Sequence, residues 1–264
     1  MDSRLQVYNV NNENRLKNIY APAEGLFIAE SPNVIERALD AGYEAESFLV
    51  EEKYLKGPQK SLLERCPEAD VFTITPQMME SITGYAMTRG MLSAMRRKPL
   101  PSRDEVIEKA RRIVILENVM NPTNLGAIIR SAAALNIDAL LLTHGCCDPL
   151  YRRSIRVSMG NVFMLPWTYL DDKSDHWIDT DGKKLKDKGY RLLSMALRND
   201  TVDIASPLLK NEEKLAIIMG TEGMGLSDYT ISHSDYTVKI PMSHNVDSLN
   251  VAAASAIAFY ELTR

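Results

Sequence analysis

Three short segments in the C-terminal half of this 264-residue chain carry residue types that could bind or activate a ligand. In each one, polar or glycine residues directly follow an apolar stretch, within 117–130, 220–227 and 240–251. Ligands of open parallel sheets bind beyond the carboxyl ends of the strands. If the apolar stretches are strands, the three segments lie at that edge and are candidate parts of one site.

The first segment contains an amide, Asn124, and a guanidinium, Arg130, shortly after the apolar run 113–116. Six residues correspond to about 600° of helical rotation, so these two side chains do not stack on one helix face. They can meet only if Asn124 lies in the loop or in the first turn. In the alternative interpretation, Asn124 caps the helix and Arg130 is a solvated helix residue.

The second and third segments are each open to two interpretations. The three glycines that follow Met219 let a ligand approach the backbone closely, or they form a tight connecting loop. Their order, G-x-x-G-x-G, differs from the G-x-G-x-x-G fingerprint, which argues against a nucleotide-binding oxidoreductase. In the third segment, Ser248 either belongs to a site or caps the helix that follows. That helix is apolar on nearly all sides, so it is expected to be buried against the sheet or a second subunit.

Apolar strand-like runs alternate with helical patterns along the chain, which predicts an α/β fold. The pattern predicts a small α/β domain over residues 1–98. Over residues 112–264 it predicts a mostly parallel sheet with helices on both faces. Residues 99–111 follow a basic run and include two prolines, which predicts a stiff linker. The predicted strands are 25–29, 47–50, 71–74, 113–116, 140–142, 162–165, 190–195, 215–219 and 237–240, and the last helix is 250–262. After the first strand, a helix that Ser31 caps and Pro32 begins is predicted.

Composition narrows the classes of protein that the chain could represent. Hydrophobic residues make up 45% and charged residues 25%, which excludes disordered, collagen-like and coiled-coil classes. The net charge of −4 gives no overall basic field, so a nucleic-acid partner would need a local patch. Three cysteines and four scattered histidines form neither a disulfide framework nor a zinc motif. Without a signal peptide or a membrane-length apolar run, the expectation is a cytoplasmic protein with no membrane and no metal.

The three segments also match one family pattern in order and spacing. N-x-[GS]-x-x-x-R is found at 124–130, a strand ending in G-x-E-G at 220–223, and I-P-M followed by S-L-N-V within 240–251. The chain thereby resembles the SpoU (TrmH-type) RNA ribose methyltransferases of the knotted (SPOUT) superfamily over roughly 112–264. The stretch 154–160 is also similar to this family, and the N-terminal part resembles the family's RNA-binding domain.

The resemblance implies a C-terminal trefoil knot, a homodimer and S-adenosylmethionine as cofactor. It implies methyl transfer to a ribose 2′-hydroxyl of structured RNA, either rRNA or tRNA. The implied catalytic residues are Asn124, Arg130, Glu222, Ser248 and Asn250. The implied cofactor-binding residues are Gly220, Ile240, Met242 and Leu249.

Two points stay open within the family interpretation. Arg130 either acts as a base after losing its proton or clamps a phosphate and stabilises the developing alkoxide. An alternative function is a ribosome-assembly factor that binds RNA and cofactor with little or no catalysis. One departure from the pattern is His244, where many members carry glycine, and it puts the geometry of the cofactor loop in doubt.

Two basic groups are candidate RNA contacts despite the acidic total. Basic residues near the predicted linker and after the second strand of the C-terminal part flank the proposed site. The alternative is that they are ordinary solvated charges. The candidate RNA-binding residues are Arg96, Arg97, Lys98, Arg152, Arg153 and Arg156.

Overall fold

The computed structural model forms two compact units, each with its own sheet. The first comprises Met1–Leu100 and Pro149–Met164, and the second comprises Pro101–Asp148 and Leu165–Arg264. The segment 149–164, which lies inside the predicted C-terminal domain 112–264, therefore packs with the first unit. The structure describes residues 3–9, 16, 25–55, 57, 59–84, 90–198, 201–244 and 247–264.

The first unit is built on a mixed four-stranded sheet in the order β1-β4-β2-β3. Strand β4 runs antiparallel to β1 and β2, whereas β2 and β3 are parallel. A buried cluster that includes Tyr8, Leu49 and Leu92 forms its core. The elements of this unit are β1 (Leu26–Glu30), α1 (Pro32–Asp40), β2 (Ala45–Glu51), α2 (Lys60–Glu64), β3 (Asp70–Ile74), α3 (Pro76–Thr83), β4 (Met91–Arg96) and α6 (Arg152–Val157).

Two local predictions in this unit were wrong. Residues 162–165 are not a strand, because Asn161–Phe163 forms a 3-10 turn. The ring of Phe163 packs against Phe27 and Tyr43, with centroids 5.5 and 5.2 Å away, so burial of an aromatic ring explains the apolar run. Ser31 precedes α1 as predicted, but its φ is 85° and its side chain makes no capping hydrogen bond.

The second unit contains a seven-stranded, fully parallel sheet in the order β7-β6-β5-β10-β8-β11-β9. This confirms the predicted α/β fold with a parallel sheet. Its elements are α4 (Arg103–Ile107), β5 (Arg112–Leu116), α5 (Pro122–Ala134), β6 (Ala139–Leu142), β7 (Trp167–Tyr169), α7 (Asp181–Asp187), β8 (Arg191–Met195), β9 (Val202–Asp203), α8 (Pro207–Lys210), β10 (Leu215–Met219), α9 (Asp228–His233), β11 (Tyr236–Lys239) and α10 (Val251–Leu262).

The central strands of this sheet are buried on both faces. All residues of β6 and β10 are buried, as the uninterrupted apolar runs predict for strands covered on two sides. Helices α5 and α10 pack against each other, so the apolar last helix is partly covered within its own chain. The parallel arrangement places the carboxyl ends of β5, β8, β10 and β11 at one edge.

The predicted linker contains a helix. In α4, Ser102 and Glu105 form a reciprocal capping box, which the order Ser-Arg-Asp-Glu supports. Arg103 is only 5% exposed and forms a hydrogen-bonded ion pair with the fully buried Asp181. Residues 103–107 are therefore anchored in the second unit and do not form an extended connection.

Within the described ranges, no helix combines the length and the hydropathy needed to cross a bilayer. The same residues contain no group of three or more His, Cys, Asp or Glu side chains placed to hold a metal ion.

Candidate active site

A cleft of about 670 Å³ opens at the carboxyl edge of the parallel sheet. It is formed by the segments that follow β8, β10 and β11 and by the start of α10. All four predicted cofactor-binding residues line it, together with Glu222, Ser248 and Asn250. The lining residues are Met195, Ala196, Leu197, Arg198, Met219, Gly220, Thr221, Glu222, Gly223, Met224, Gly225, Leu226, Ile231, Val238, Lys239, Ile240, Met242, Ser248, Leu249, Asn250, Val251 and Ala254.

The glycine segment after β10 is a tight loop whose two ends touch. The backbone nitrogen of Gly225 donates to the carbonyl of Thr221 at 3.0 Å. A Cβ atom at position 220 would lie 2.3 Å from the carbonyl carbon of Gly225, so only glycine fits there. Gly223 and Gly225 have φ values of 83° and 68°, in the region that glycine tolerates best. These contacts fix the loop that forms one wall of the cleft.

A hydrogen-bonded cluster joins the three sequence motifs. The side-chain nitrogen of Asn250 donates to Oδ1 of Asn124 at 3.2 Å and to Oε1 of Glu222. The side-chain oxygen of Asn250 accepts the backbone N–H of Ala252 at 2.9 Å and so caps α10. The nitrogen and the oxygen of this amide are therefore both hydrogen-bonded, which sets its orientation.

Local sequence explains how Asn124 reaches the cluster. Asn121 caps α5 by accepting the backbone N–H of Thr123 at 2.8 Å, and Pro122 occupies the first helical position. Asn124 consequently lies in the first turn, which is the condition under which the sequence allowed it to join the site. Asn250, and not Ser248, caps the last helix, so Ser248 lines the cleft without a capping role.

Arg130 is not brought to the cluster within its own chain. It lies on α5 with an exposed side chain that makes no hydrogen bond or ion pair to the described residues, and it does not line the cleft. His244 is also exposed and outside the cleft lining. Its φ of 58° is a left-handed conformation that glycine adopts more easily, so the backbone here would suit the glycine that the family resemblance implies.

The first group of candidate RNA contacts serves the fold of the first unit in part. Arg97 is 8% exposed, and its Nε donates to the carbonyl of Leu26 at 3.0 Å. The ammonium of Lys98 donates to the carbonyl of Ala41 at 2.7 Å and lies over the ring of Tyr43. Arg96 is exposed and pairs with Glu46 at 3.0 Å.

The second group of candidate RNA contacts, Arg152, Arg153 and Arg156, likewise contains both buried and exposed side chains. Arg152 is 6% exposed and pairs with Glu30 at 3.0 Å, and Arg156 approaches the same carboxylate at 3.7 Å. Arg153 is exposed. Of the six candidate cations, Arg96, Lys98 and Arg153 are exposed, whereas Arg97 and Arg152 are buried within the first unit.

Glu117 is a positioning residue that none of the sequence motifs marks. This buried carboxylate follows β5 and accepts hydrogen bonds from Trp177 Nε1 at 3.0 Å, Ser227 N at 2.8 Å and Thr230 Oγ1 at 2.5 Å. It ties the start of the Asn124 segment to the end of the glycine loop. An acidic residue directly after a fully apolar strand was the available signal. Residues 195–198 of the cleft lining were also missed, because no motif marks them.

The buried thiol of Cys146 holds the segment between β5 and α5, which Glu117 also anchors. The Sγ of Cys146 donates to the carbonyl of Leu116 at 3.2 Å and accepts the backbone N–H of Val119 at 3.3 Å. Burial raises the pKa of this thiol to about 11, so it stays protonated near neutral pH. Its role is structural, since a reactive cysteine needs a lowered pKa.

Comparison with known proteins decides the family. A model of the SpoU rRNA methylase family matches residues 111–260, more than half of the chain. The chain belongs to the SpoU rRNA methylase family. The matched range contains the whole cleft and the Asn124–Asn250–Glu222 cluster, so the candidate site lies in the family-defining part of this SpoU protein.

Relatives of this SpoU protein extend over most of its length. An uncharacterized tRNA/rRNA methyltransferase of Mycobacterium bovis is 37% identical over 91% of the chain and 82% of the relative. A 23S rRNA (guanosine-2′-O-)-methyltransferase of Acinetobacter baylyi is 30% identical over 80% of the chain and 87% of the relative. A 23S rRNA (guanosine(2553)-2′-O)-methyltransferase of Bacillus subtilis is 28% identical over 82% of the chain and 88% of the relative.

Solved structures share the fold of both units. The SpoU methyltransferase AviRb from Streptomyces viridochromogenes, in complex with AdoMet, has a TM-score of 0.79 at 22% identity and covers 99% of this chain and 98% of its own. The AdoMet-bound rRNA methyltransferase from Sinorhizobium meliloti has a TM-score of 0.80 at 19% identity, covering 99% and 94%.

Proposed function

We propose that this SpoU-family protein transfers a methyl group from S-adenosylmethionine to a ribose 2′-hydroxyl of structured RNA, either rRNA or tRNA. The observation that carries the proposal is the hydrogen-bonded cluster of Asn124, Glu222 and Asn250 at a cleft of cofactor size. Two relatives whose names specify ribose 2′-O-methylation of 23S rRNA support the reaction.

The cleft fits S-adenosylmethionine in size and chemistry. Its volume of about 670 Å³ lies within the usual range for small-molecule sites. Gly220 lets the backbone of Gly225 pack against it, which fixes the loop that forms one wall, and Ile240, Met242 and Leu249 add strand-end backbone and apolar wall. These four residues would hold the cofactor, which supplies a methyl group on a positively charged sulfur.

The residues of this chain then align the acceptor and manage its proton. Asn124 and Asn250 orient the ribose, because their mutual hydrogen bond fixes both amides. Glu222 braces Asn250, and the exposed hydroxyl of Ser248 contacts the ribose or the cofactor. Alignment of the reacting oxygen with the methyl carbon is the main contribution of these groups.

Arg130 completes the site from a second copy of the chain in this proposal. Its side chain is exposed on α5 and forms no hydrogen bond or ion pair with the described residues. On the neighbouring α10, Ile257 and Tyr260 are 41% and 51% exposed, an apolar surface suited to a homodimer. There Arg130 either removes the proton of the hydroxyl or clamps the adjacent phosphate and stabilises the alkoxide.

Mixing two inactive variants tests the shared site. Arg130→Ala and Asn250→Ala are each expected to be inactive, but a mixed dimer contains one cleft with both residues intact. Re-equilibrated equal mixtures should recover activity, to about a quarter of wild type if subunits exchange randomly. A mixture as inactive as its components, in verified mixed dimers, would show that Arg130 acts within its own chain.

We also infer the trefoil knot that the family resemblance implies. Strand β10, the last strand but one in the chain, lies in the interior of the sheet between β5 and β8, and α10 then packs on α5. A chain end that returns past the start of the sheet in this way is compatible with threading through an earlier loop.

Methylation of RNA from cells that lack the gene tests the function. Purified protein with S-adenosylmethionine should methylate the ribose of one defined nucleotide in this RNA. The same nucleotide should already carry the methyl group in RNA from cells that have the gene. Asn250→Ala protein serves as the control. Base methylation, or cofactor binding without methylation of any RNA, would overturn the proposal, and the second result is the one expected of a ribosome-assembly factor.

A further inference from the structure

One residue, Glu117, is bonded to both ends of the glycine loop, residues 220–226. The loop begins after Met219, whose carbonyl accepts the backbone N–H of Glu117 at 2.9 Å. It ends before Ser227, whose backbone N–H donates to Oε1 of Glu117 at 2.8 Å. Because this loop forms one wall of the cleft, Glu117 determines where that wall begins and where it ends.

The buried side chain of Glu117 acts only as an acceptor. Besides the bond from Ser227, it accepts hydrogen bonds from Trp177 Nε1 at 3.0 Å and from Thr230 Oγ1 at 2.5 Å. It forms no ion pair with any residue that the structure describes, so these donors compensate the burial of its carboxylate. A buried acceptor that lost a donor would be destabilised, so the attachment of the loop end is firm.

The middle of the glycine loop, in contrast to its ends, is exposed. Met224 is 90% exposed, and Glu222, Gly223 and Gly225 are exposed as well. Exposed segments with few buried contacts open locally at a low free-energy cost. A cofactor in the cleft would pack against this loop and restrain it, since residues 220–226 all line the cleft.

The exposed middle of the loop is joined to Asn124 by side-chain hydrogen bonds. Glu222 accepts a bond from the side-chain nitrogen of Asn250, which also donates to Asn124 at 3.2 Å. Glu222 and Asn250 are both exposed, so water competes for these bonds. They hold Asn124 best when the loop itself is held in place.

The fixed ends of the loop are joined to Asn124 through the main chain. Glu117 is the first residue of the segment that leads to Asn124. The backbone N–H of Asn118, the next residue, donates to Thr143 Oγ1 at 3.0 Å, which tethers the start of this segment. Asn121 caps α5, so Asn124 lies in the first helical turn. A displacement of Glu117 would therefore shift Asn124 as well.

We propose, on the basis of the function proposed above, that Glu117 is a positioning residue that couples cofactor binding to RNA binding. A cofactor in the cleft restrains the glycine loop, and Glu117 transmits that restraint to the segment that carries Asn124. The RNA then meets an amide that has already lost its freedom of movement, so it binds the cofactor complex more tightly than the free protein. By linkage, RNA strengthens cofactor binding by the same factor.

Position 227 allows one hydrogen bond of Glu117 to be removed selectively. The φ of Ser227 is −62°, a value that proline adopts, and proline has no N–H to donate to Glu117. Ser227→Ala keeps that N–H. Both variants lose the side-chain cap of α9, in which Ser227 Oγ accepts the backbone N–H of Thr230 at 3.1 Å. Ser227→Pro and Ser227→Ala therefore differ in the bond on which the coupling depends.

Hydrogen exchange tests the coupling without any RNA. S-adenosylhomocysteine, which is the cofactor without its methyl group, is added at saturation, and amide exchange of residues 118–124 is measured. Exchange should slow by about fivefold or more in the wild type and in Ser227→Ala. It should change by less than about twofold in Ser227→Pro, where one end of the loop is released.

Calorimetry on the same samples measures cofactor binding, so the two proposals can fail separately. Bound cofactor with no slowing in the wild type, or with equal slowing in the two variants, would overturn the coupling and leave the proposed function intact. Absence of cofactor binding to the wild type would overturn both proposals.

RNA affinity gives an independent measurement with a variant of Glu117 itself. Glu117→Gln replaces one acceptor oxygen by an NH₂ group that faces donors, with little change in size. RNA from cells lacking the gene should bind the wild type at least about fivefold more tightly when S-adenosylhomocysteine is present at saturation. In Glu117→Gln this ratio should fall to about one, as measured by filter binding.

Asp181→Asn is the matched control for that variant. Asp181 is also a buried carboxylate, which binds Arg103 and accepts the backbone N–H of Asp172 at 2.8 Å, but it does not line the cleft. The control should lose stability and keep the wild-type ratio of RNA affinities. An unchanged ratio in Glu117→Gln, or an equal loss of the ratio in both variants, would overturn the proposal.

Discussion

The side-chain nitrogen of Asn250 donates a hydrogen bond to the side-chain oxygen of Asn124 at 3.2 Å, joining the start of α10 to the first turn of α5. The same nitrogen contacts Glu222, so one amide connects three segments that are far apart in the sequence. Asn250 also caps α10 through its oxygen. The residue therefore has a structural and a proposed functional role that substitutions can separate.

Asn250→Ser and Asn250→Ala should lose activity together but differ in stability. Both remove the side-chain nitrogen that binds Asn124 and Glu222, so methylation should fall by at least about a hundredfold. Serine retains a capping oxygen, whereas alanine does not, so the alanine variant should be less stable by about 1 kcal/mol. Urea unfolding and methylation assays on the two variants test this, and an active serine variant would assign the residue to capping alone.

Gly220→Ala should impair cofactor binding more than stability. The added Cβ would meet the backbone of Gly225, so the loop must move and the cleft wall with it. We expect S-adenosylmethionine affinity, measured by calorimetry, to fall by about tenfold or more.

Gly189→Ala is the matched control for that change. Gly189 has a φ of 87° with nothing near its Cβ position, and it lies before β8, away from the carboxyl edge. Left-handed strain should cost about 1 kcal/mol of stability without changing cofactor affinity. Equal cofactor affinities in the two alanine variants would contradict the role given to Gly220.

The buried thiol of Cys146 should make stability fall at alkaline pH. Burial raises its pKa to about 11, whereas a thiol in the unfolded chain titrates near 8.5, by the usual value for cysteine. Its contribution is complete below that lower pH and is lost as pH rises toward 11, because only the unfolded chain then releases the proton. The slope is about 1.4 kcal/mol per pH unit.

Cys146→Ala should therefore lose less stability than wild type between pH 9 and 10, by about 1 kcal/mol. Urea unfolding at the two pH values measures the difference. Parallel losses in the two proteins would show that Cys146 does not titrate in this range.

Accessible and buried arginines of the first unit should respond differently to substitution. Arg153→Ala should weaken RNA binding and reduce its salt dependence by about one counterion, with little change in stability. Arg97→Ala removes the hydrogen bond to Leu26 and should cost about 1–3 kcal/mol of stability. Filter binding at several salt concentrations and urea unfolding separate the two effects, and an unchanged salt slope for Arg153→Ala would exclude it from the RNA surface.

Much of the fold could be predicted because the central parallel strands contain uninterrupted apolar runs. Strands β5, β6 and β10 can be recognised from their own composition, because a strand that is buried on both faces needs apolar residues throughout its buried part. The strand predicted at 162–165 was wrong because a turn with a half-buried aromatic ring can have the same apolar composition as a strand. The basic run and the two prolines likewise suggested a stiff linker at 99–111, whereas Arg103 within that range is buried against a carboxylate elsewhere in the chain.

The sequence by itself determined the family, the parallel sheet and the set of polar residues available for chemistry, because these depend on residue type and spacing. Only the tertiary structure decided which polar residues meet. It brought Asn124, Glu222 and Asn250 together, left Arg130 apart from them, and buried Arg97 and Arg152. Hydrogen-bond geometry and desolvation depend on distances between segments far apart in the chain, and local sequence does not encode those distances in any readable pattern.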